Sequence, residues 1–205
     1  MGQRIGLFGG TFDPIHSGHL QVAEKAANTF ALDRVLFIPA ANPPHKPAGE
    51  VAPYPDRFRM CELACAPYSR FVVSDLESGP GKSYTIHTVE RVRRELFRNA
   101  ELFFLIGADA FDELETWKRW RDLVKLTDFI VVSRPGATYH IPEGARVHQL
   151  DQIQIPVSSS QIRARLARRE PSPELPAPVL DYIREHGLYG MSARESTPRE
   201  STSLR

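Results

Sequence analysis

The stretch RIGLFGGTFDPIHSGHL, residues Arg4 to Leu20, decides how the rest of the chain is read. Arg4 to Phe8 is a short apolar run with the branched and aromatic content of a buried strand. Gly9 and Gly10 stand at its end, where the missing side chains let a ligand approach the backbone, and helical periodicity begins within a few residues. Strand, glycine turn and helix N-terminus in that order make a cradle for phosphate, because free amides and the positive end of the helix dipole face the turn. The turn is not a Walker A loop, since it lacks G-x-x-x-x-G-K-[ST], nor a dinucleotide fingerprint, since it lacks G-x-G-x-x-G. His16 and His19, three apart with Gly18 between them, fall on one side of a first helical turn and bring two donors to the cradle. The competing reading has Asp13 capping the helix, Pro14 near its first position and both histidines on the surface. Two histidines and three glycines after a buried strand favour the functional loop.

Working outward, similar apolar runs recur at Arg34 to Ile38, Phe71 to Ser74, Leu102 to Ile106 and Phe129 to Val132. Helical periodicity occupies Leu20 to Phe30, Asp56 to Ala66, Tyr84 to Phe97, and Ala110 to Leu126 with a break near Trp117. The alternation predicts an α/β, Rossmann-like, doubly wound and mostly parallel sheet with helices on both faces, in a single domain over residues 1–190. Shorter strand candidates lie at Arg146 to Leu150 and Ile153 to Ile155. Two helices then close the domain, one from Ser158 or Ser159 to about Arg169, the other carrying Val179, Leu180 and Ile183 on one face and stopped by Gly187. MSARESTPRESTSLR, residues 191–205, is almost free of large apolar residues and is expected to be a disordered tail.

With 26 basic and 25 acidic side chains, the net charge of +1 offers no general attraction to nucleic acid or to an acidic membrane. No apolar stretch reaches the ~20 residues of a membrane span, and the N-terminal apolar run is too short for a signal peptide. A cytoplasmic protein is expected. Cys61 and Cys65 would share a helix face as buried thiols, with no further ligands for zinc.

Two more segments carry chemistry. In PVSSSQIRARL, consecutive hydroxyls open a helix and Arg163 follows one turn later. That is a site for the outer phosphates of a triphosphate, because arginine supplies a rigid fork of donors; a capped basic helix is the open alternative. In PAANPPHK, proline-stiffened chain presents Asn42, His45 and Lys46, with Lys46 a point charge for a bridging phosphate; a surface loop with a solvated lysine is the plainer reading. The irregular stretch Ala40 to Tyr54 around it is long for a compact domain, which favours a functional loop.

In this order, GGTFDPIHSGHL, PPHK, SYT at Ser83 to Thr85, LIGAD at Leu105 to Asp109, ETWKRW at Glu115 to Trp120, SRPG at Ser133 to Gly136 and SSSQIR at Ser158 to Arg163 resemble the H-x-G-H nucleotidyltransferases. The likeness is specifically to bacterial nicotinate-nucleotide adenylyltransferases and runs to about Gly190. The resemblance implies that Gly9, Gly10, Thr11, Phe12, His16 and His19 hold ATP, with Lys46 near the reacting phosphates. Gly107 and Asp109 would lie near ribose, and Ser158, Ser159 and Arg163 at the outer phosphates. Asn42, Thr85, Trp117 and Arg134 are assigned to the acceptor mononucleotide, with the Trp117 face stacking on its pyridine ring and backbone amides receiving its carboxylate. Trp120 is expected in the core. One departure is His87, where the pattern often has an acidic residue; His140, His148 and His186 match no motif.

The implied reaction is in-line attack by the phosphate of nicotinate mononucleotide on the α-phosphorus of ATP. The nucleophile is already an anion near neutrality, a phosphate monoester's second pKa being about 6, so positioning and charge neutralisation are the protein's task. No dense carboxylate cluster exists, so magnesium is expected to arrive on ATP and no metal site of the protein's own is assigned. Nicotinamide mononucleotide or phosphopantetheine as acceptor, and a catalytically idle nucleotide sensor, are the rivals. A dehydrogenase fits poorly, because FIPAAN after the second strand lacks the acidic residue that binds an adenosine ribose.

Overall fold

A computed structural model describes residues 2–43, 51–79, 81–133, 138–150 and 157–191 of the chain. Among these residues six strands, β1 (Arg4–Gly10), β2 (Arg34–Pro39), β3 (Phe71–Val73), β4 (Glu101–Gly107), β5 (Asp128–Val132) and β6 (Val147–Leu150), form one sheet in the order β3-β2-β1-β4-β5-β6. Every pairing is parallel. The expected Rossmann-like architecture is therefore present, and the strand order reverses between β1 and β4. That reversal opens a crevice at the carboxyl edge, where ligands of such sheets bind.

The near-continuous apolar runs follow from burial on both faces. Val35 and Phe37 of β2 and Phe103 and Leu105 of β4 face one core. Their neighbours Leu36, Ile38, Leu102, Phe104 and Ile106 face the other. The first core is covered by α1 (Ser17–Thr29), α2 (Tyr54–Cys65), α6 (Ser159–Ala167) and α7 (Ala177–Glu185). The second lies under α3 (Thr85–Arg91), α4 (Ala108–Asp112) and α5 (Trp120–Leu126). Full burial of each such side chain contributes about 1.5–3 kcal/mol before entropy is counted.

Several boundaries differ from expectation for local reasons. α1 starts at Ser17, with His16 extended at the N-cap. Asp13 therefore does not cap it. The helix expected over Tyr84 to Phe97 is α3 followed by one π turn over Val92–Leu96. The Ala110 to Leu126 segment divides into α4, a 3₁₀ turn at Leu114–Thr116 and α5, leaving Trp117 extended at the break. Gly187, at φ 63°, ends α7 as expected. Cys61 and Cys65 are buried thiols, and burial pushes the Cys65 thiol up to about 12. Ile153 to Ile155 and residues 192–205 lie outside the described residues.

Gly6 in β1 leaves room for side chains from the loop before β2 and from the neighbouring strand β4 to close over it. A Cβ there would meet the Leu32 Cδ1 at 2.9 Å and the Leu105 Cδ1 at 3.3 Å. Overfilling a packed core commonly costs about 1–3 kcal/mol, so Gly6→Val should lower unfolding stability by roughly 2 kcal/mol in urea titration. A change smaller than about 0.5 kcal/mol, the range of ordinary surface substitutions, would mean that the Leu32 and Leu105 side chains relax freely.

Candidate active site

Two cavities open at the carboxyl edge and share Phe8, Ile106 and Gly107 as a common wall. The first, about 330 Å³, is lined by Gly9, Gly10 and Thr11 on one side and by Thr85 and Trp117 on the other. The second, about 690 Å³, is lined by His16, Gly18, His19, Asp109, Ser158 and Ser159. Most of the predicted site residues therefore come together around one crevice, although they span 150 positions of chain.

The turn from β1 into α1 is held from several directions. Gly10 needs its missing side chain, because a Cβ would stand 2.9 Å from the Phe12 ring. Phe12 adopts φ 48° and buries that ring beneath His19, at a centroid distance of 5.1 Å. Phe12 is thus a floor under the site, and its side chain lines neither cavity. The His16 backbone N–H donates to the Nδ1 of His19 at 3.2 Å. This bond assigns the neutral tautomer of His19, with the proton on Nε2.

Both imidazoles are held uncharged. Burial lowers the His16 pKa to about 4, opposed in part by Glu174. Burial, and then the neighbouring His16, lower that of His19 to about 3. The two ring centroids are 3.8 Å apart, a separation at which two imidazoliums would repel strongly. The His16 Nδ1 is buried with no hydrogen-bond partner among the described residues.

Asp13, Tyr189 and Arg57 brace the turn, and the last two carried no legible signal. Asp13, 1% exposed, accepts at Oδ1 from the Ala52 N–H (3.1 Å) and from the Tyr189 hydroxyl (2.7 Å). Burial pushes the Tyr189 phenol far up, and the Asp13 carboxylate adds to the shift. Arg57, also 1% exposed, donates Nε to the Ala52 carbonyl, Nη1 to that of Thr11 and Nη2 to that of Ala41. In the sequence Arg57 reads as one more charge on a helix, and Tyr189 as the end of a domain. Only the fold brings them to residues 11–13.

Arg163 donates Nη1 to the Asp13 carbonyl at 2.7 Å and stands 3.4 Å from its carboxylate. It lines neither cavity. Ser159 donates to the Pro14 carbonyl at 3.0 Å, so α6 is tied directly to the turn. Ser158 forms a capping box with Gln161, which accounts for one of the three serines by capping alone.

Around the first cavity, Trp117 is half-buried and packs edge-on against Phe104 at 6.1 Å. Trp120 is buried in the core, as expected. Asn42 turns elsewhere: its side-chain amide donates to the Gly79 and Gly81 carbonyls, both at 3.3 Å, and it lines neither cavity. His87 is exposed against the Tyr84 ring and is likewise absent from the cavity wall. Glu77 was not singled out by sequence; it lines this cavity, accepts from the Thr88 hydroxyl, and is raised by burial above the usual carboxylate range. His45, Lys46 and Arg134 lie outside the described residues.

Fold and site together define a nucleotidyltransferase class, and comparison with known proteins agrees. Residues 7–165 match the cytidylyltransferase-like family. A curated relative from Solibacter usitatus, named "Probable nicotinate-nucleotide adenylyltransferase", is 55% identical over 91% of this chain and 99% of its own. One from Thermus thermophilus with the same name is 47% identical over 91% of this chain and 99% of its own. The solved Plasmodium falciparum nicotinic acid mononucleotide adenylyltransferase complexed with NaAD shares the fold at a TM-score of 0.77 and 21% identity, over 93% of this chain and 98% of that one. The chain belongs to the cytidylyltransferase-like family, on its nicotinate-nucleotide adenylyltransferase branch.

Arg57 supplies a direct test of the bracing. Lysine cannot reach three carbonyls from one ammonium, and each buried acceptor left unpaired costs about 1–3 kcal/mol. Arg57→Lys should therefore lose roughly 2–3 kcal/mol of stability by denaturant titration. Wild-type stability in that variant would show that the three carbonyls find other partners.

Proposed function

We propose that the protein transfers the adenylyl group of ATP to nicotinate mononucleotide, giving nicotinate adenine dinucleotide and pyrophosphate in the making of NAD. The observation that carries this reading is the pair of cavities meeting at the reversal of strand order. One is bounded by phosphate donors and the other by an aromatic wall. Two nucleotides seated there would bring their phosphates together beside the glycine turn.

In the reaction an oxygen of the acceptor phosphate bonds to the α-phosphorus. The bond from that phosphorus to the bridging oxygen breaks, and pyrophosphate leaves with the electron pair. Gly9, Gly10 and Thr11 supply backbone at the close approach, His16 and His19 face the ATP phosphates, and Gly107 and Asp109 border the ribose. Ser158, Ser159 and Arg163 lie toward the outer phosphates, with Arg163 swinging part of its fork from Asp13 to the ligand. Lys46 is assigned to the reacting phosphates, Thr85 and Trp117 to the acceptor base, and Asn42 and Arg134 to the acceptor more weakly. The assignment of Asn42 requires its amide to leave Gly79 and Gly81.

Magnesium fits as a passenger on ATP. Among the described residues no three His, Cys, Asp or Glu side chains gather as ligands. Asp109 lines the second cavity, whereas Asp13 is already engaged by Tyr189, Ala52 and Arg163. Such a donor set suits an ion that keeps phosphate oxygens and waters and takes at most one carboxylate. When bound, the ion would neutralise charge on the leaving pyrophosphate. No described helix is long and apolar enough to cross a membrane, and we place the activity in the cytoplasm.

His19 acts as a hydrogen-bond donor, since its Nδ1 is occupied and its Nε2–H is the available group. Removing a donor aimed at transition-state charge typically costs about 10²- to 10³-fold in kcat. His19→Ala should lose that much with little change in KM for ATP, and His19→Asn should recover part of it. Because the folded pKa lies below the unfolded value of 6.5, the ring stays neutral as pH falls from 8 to 5. Wild-type kcat should therefore show no histidine titration over that range, while stability declines below pH 6.5 as the unfolded chain gains protons that the folded one does not. The reading as a whole is tested by pyrophosphate release with ATP, magnesium and either mononucleotide. Release with nicotinate mononucleotide at a higher kcat/KM than with nicotinamide mononucleotide supports it; tight ATP binding without release for either acceptor would favour a sensor instead.

A further inference from the structure

We infer that Lys118 is the side chain that selects an anionic ring substituent in the acceptor, an inference that rests on the acceptor reading above. Lys118 lines the first cavity directly after Trp117, and its Nζ lies 4.3 Å from the centroid of the Tyr84 ring on the same cavity wall. Among the described residues lining that cavity it is the one cation, and Glu77 is the one carboxylate. The two do not neutralise each other. Glu77 is turned to the Thr88 hydroxyl, and among the described residues Lys118 takes part in no salt bridge.

A ring face attracts a cation through its quadrupole without removing its charge. Tyr84 therefore fixes where the ammonium sits and leaves its full charge for a ligand. The rest of the wall is apolar or neutral, with Ile38, Phe104, Ile106 and the Trp117 ring, so a carboxylate entering it would otherwise lose hydration with little return. A carboxylate on a ring held by Trp117 gains an ion pair as well as a hydrogen bond from Lys118, whereas a carboxamide gains only a hydrogen bond from the ammonium to its neutral oxygen. Discrimination thus arises from a side chain, in addition to whatever the backbone around Thr85 provides. Nothing in the motif spacing singles out this lysine, because the W-x-x-W pattern leaves its position free.

The test is kcat/KM with nicotinate and nicotinamide mononucleotides, at saturating ATP and magnesium, for wild type, Lys118→Met and Lys118→Arg. Methionine keeps the length of the stem and removes the charge; arginine keeps the charge. We expect the methionine variant to shrink the preference for the nicotinate form by roughly tenfold, near the low end of what a hydrogen bond to a charged group contributes. The change should come through a higher KM for that acceptor, and arginine should keep most of the preference. A methionine variant that retains the wild-type ratio, or that lowers both acceptors equally, overturns the inference and leaves the acceptor reading standing. A wild-type enzyme with no preference between the two overturns both.

Discussion

The site depends on keeping two imidazoles uncharged inside the turn proposed to receive phosphate. His16 at the N-cap and His19 on the first turn of α1 hold their tilted rings with centroids 3.8 Å apart, and the backbone N–H of His16 occupies the Nδ1 of His19. Protonating either would bring a positive charge into a half-closed, poorly solvated space beside another ring, which is why burial holds both far below the usual histidine range. The surrounding structure follows from that constraint. Phe12 must bend to positive φ to lie beneath His19, Gly10 must lack a side chain to admit Phe12, and residues 11–13 need fixed partners. Arg57, Tyr189 and Arg163 supply them from α2, the C-terminal turn and α6. The C-terminal helices therefore belong to the functional unit.

The electrostatic consequence concerns where binding energy is realised. A permanently charged imidazolium would attract ATP in its ground state as strongly as in the transition state and would mostly lower KM. A neutral Nε2–H pointed at the transferring group responds chiefly to charge that accumulates during transfer, and it needs no rearrangement to do so. Among the described cations, Arg163 lines neither cavity and the proposed Lys118 is exposed on the wall of the first. In the proposed chemistry their task is to counter the static charge of two nucleotides and a carboxylate, while the centre is left to dipoles.

Much of this was readable from residues alone, and the divide has a physical cause. Buried parallel strands must be apolar throughout, so β1, β2, β4 and β5 stood out, and alternation of strand and helix implied a doubly wound parallel sheet; the place where the strand order reverses, between β1 and β4, came from the structure. Gly9, Gly10, His16 and His19 were legible because a phosphate cradle requires those residue types close together in sequence. Arg57, Tyr189 and Glu77 were not, since each acts on partners distant in the chain and has an ordinary helical or loop context. Asp13 was weighed only as a helix cap, a local role; its actual partners are Ala52 and Tyr189, 39 and 176 positions away. Asn42 shows the converse, a residue whose motif invited a ligand role while its amide is satisfied by Gly79 and Gly81.

The state of His19 in the free protein can be read directly by nitrogen-15 NMR of histidine-labelled enzyme between pH 5 and 8. A ring fixed by the His16 N–H should show a protonated Nε2, an unprotonated Nδ1 and shifts that do not move over that range, in keeping with a pKa of about 3. A His19 signal that titrates near 6.5, or one that reports the proton on Nδ1, would contradict the neutral-donor geometry on which the proposed chemistry is built.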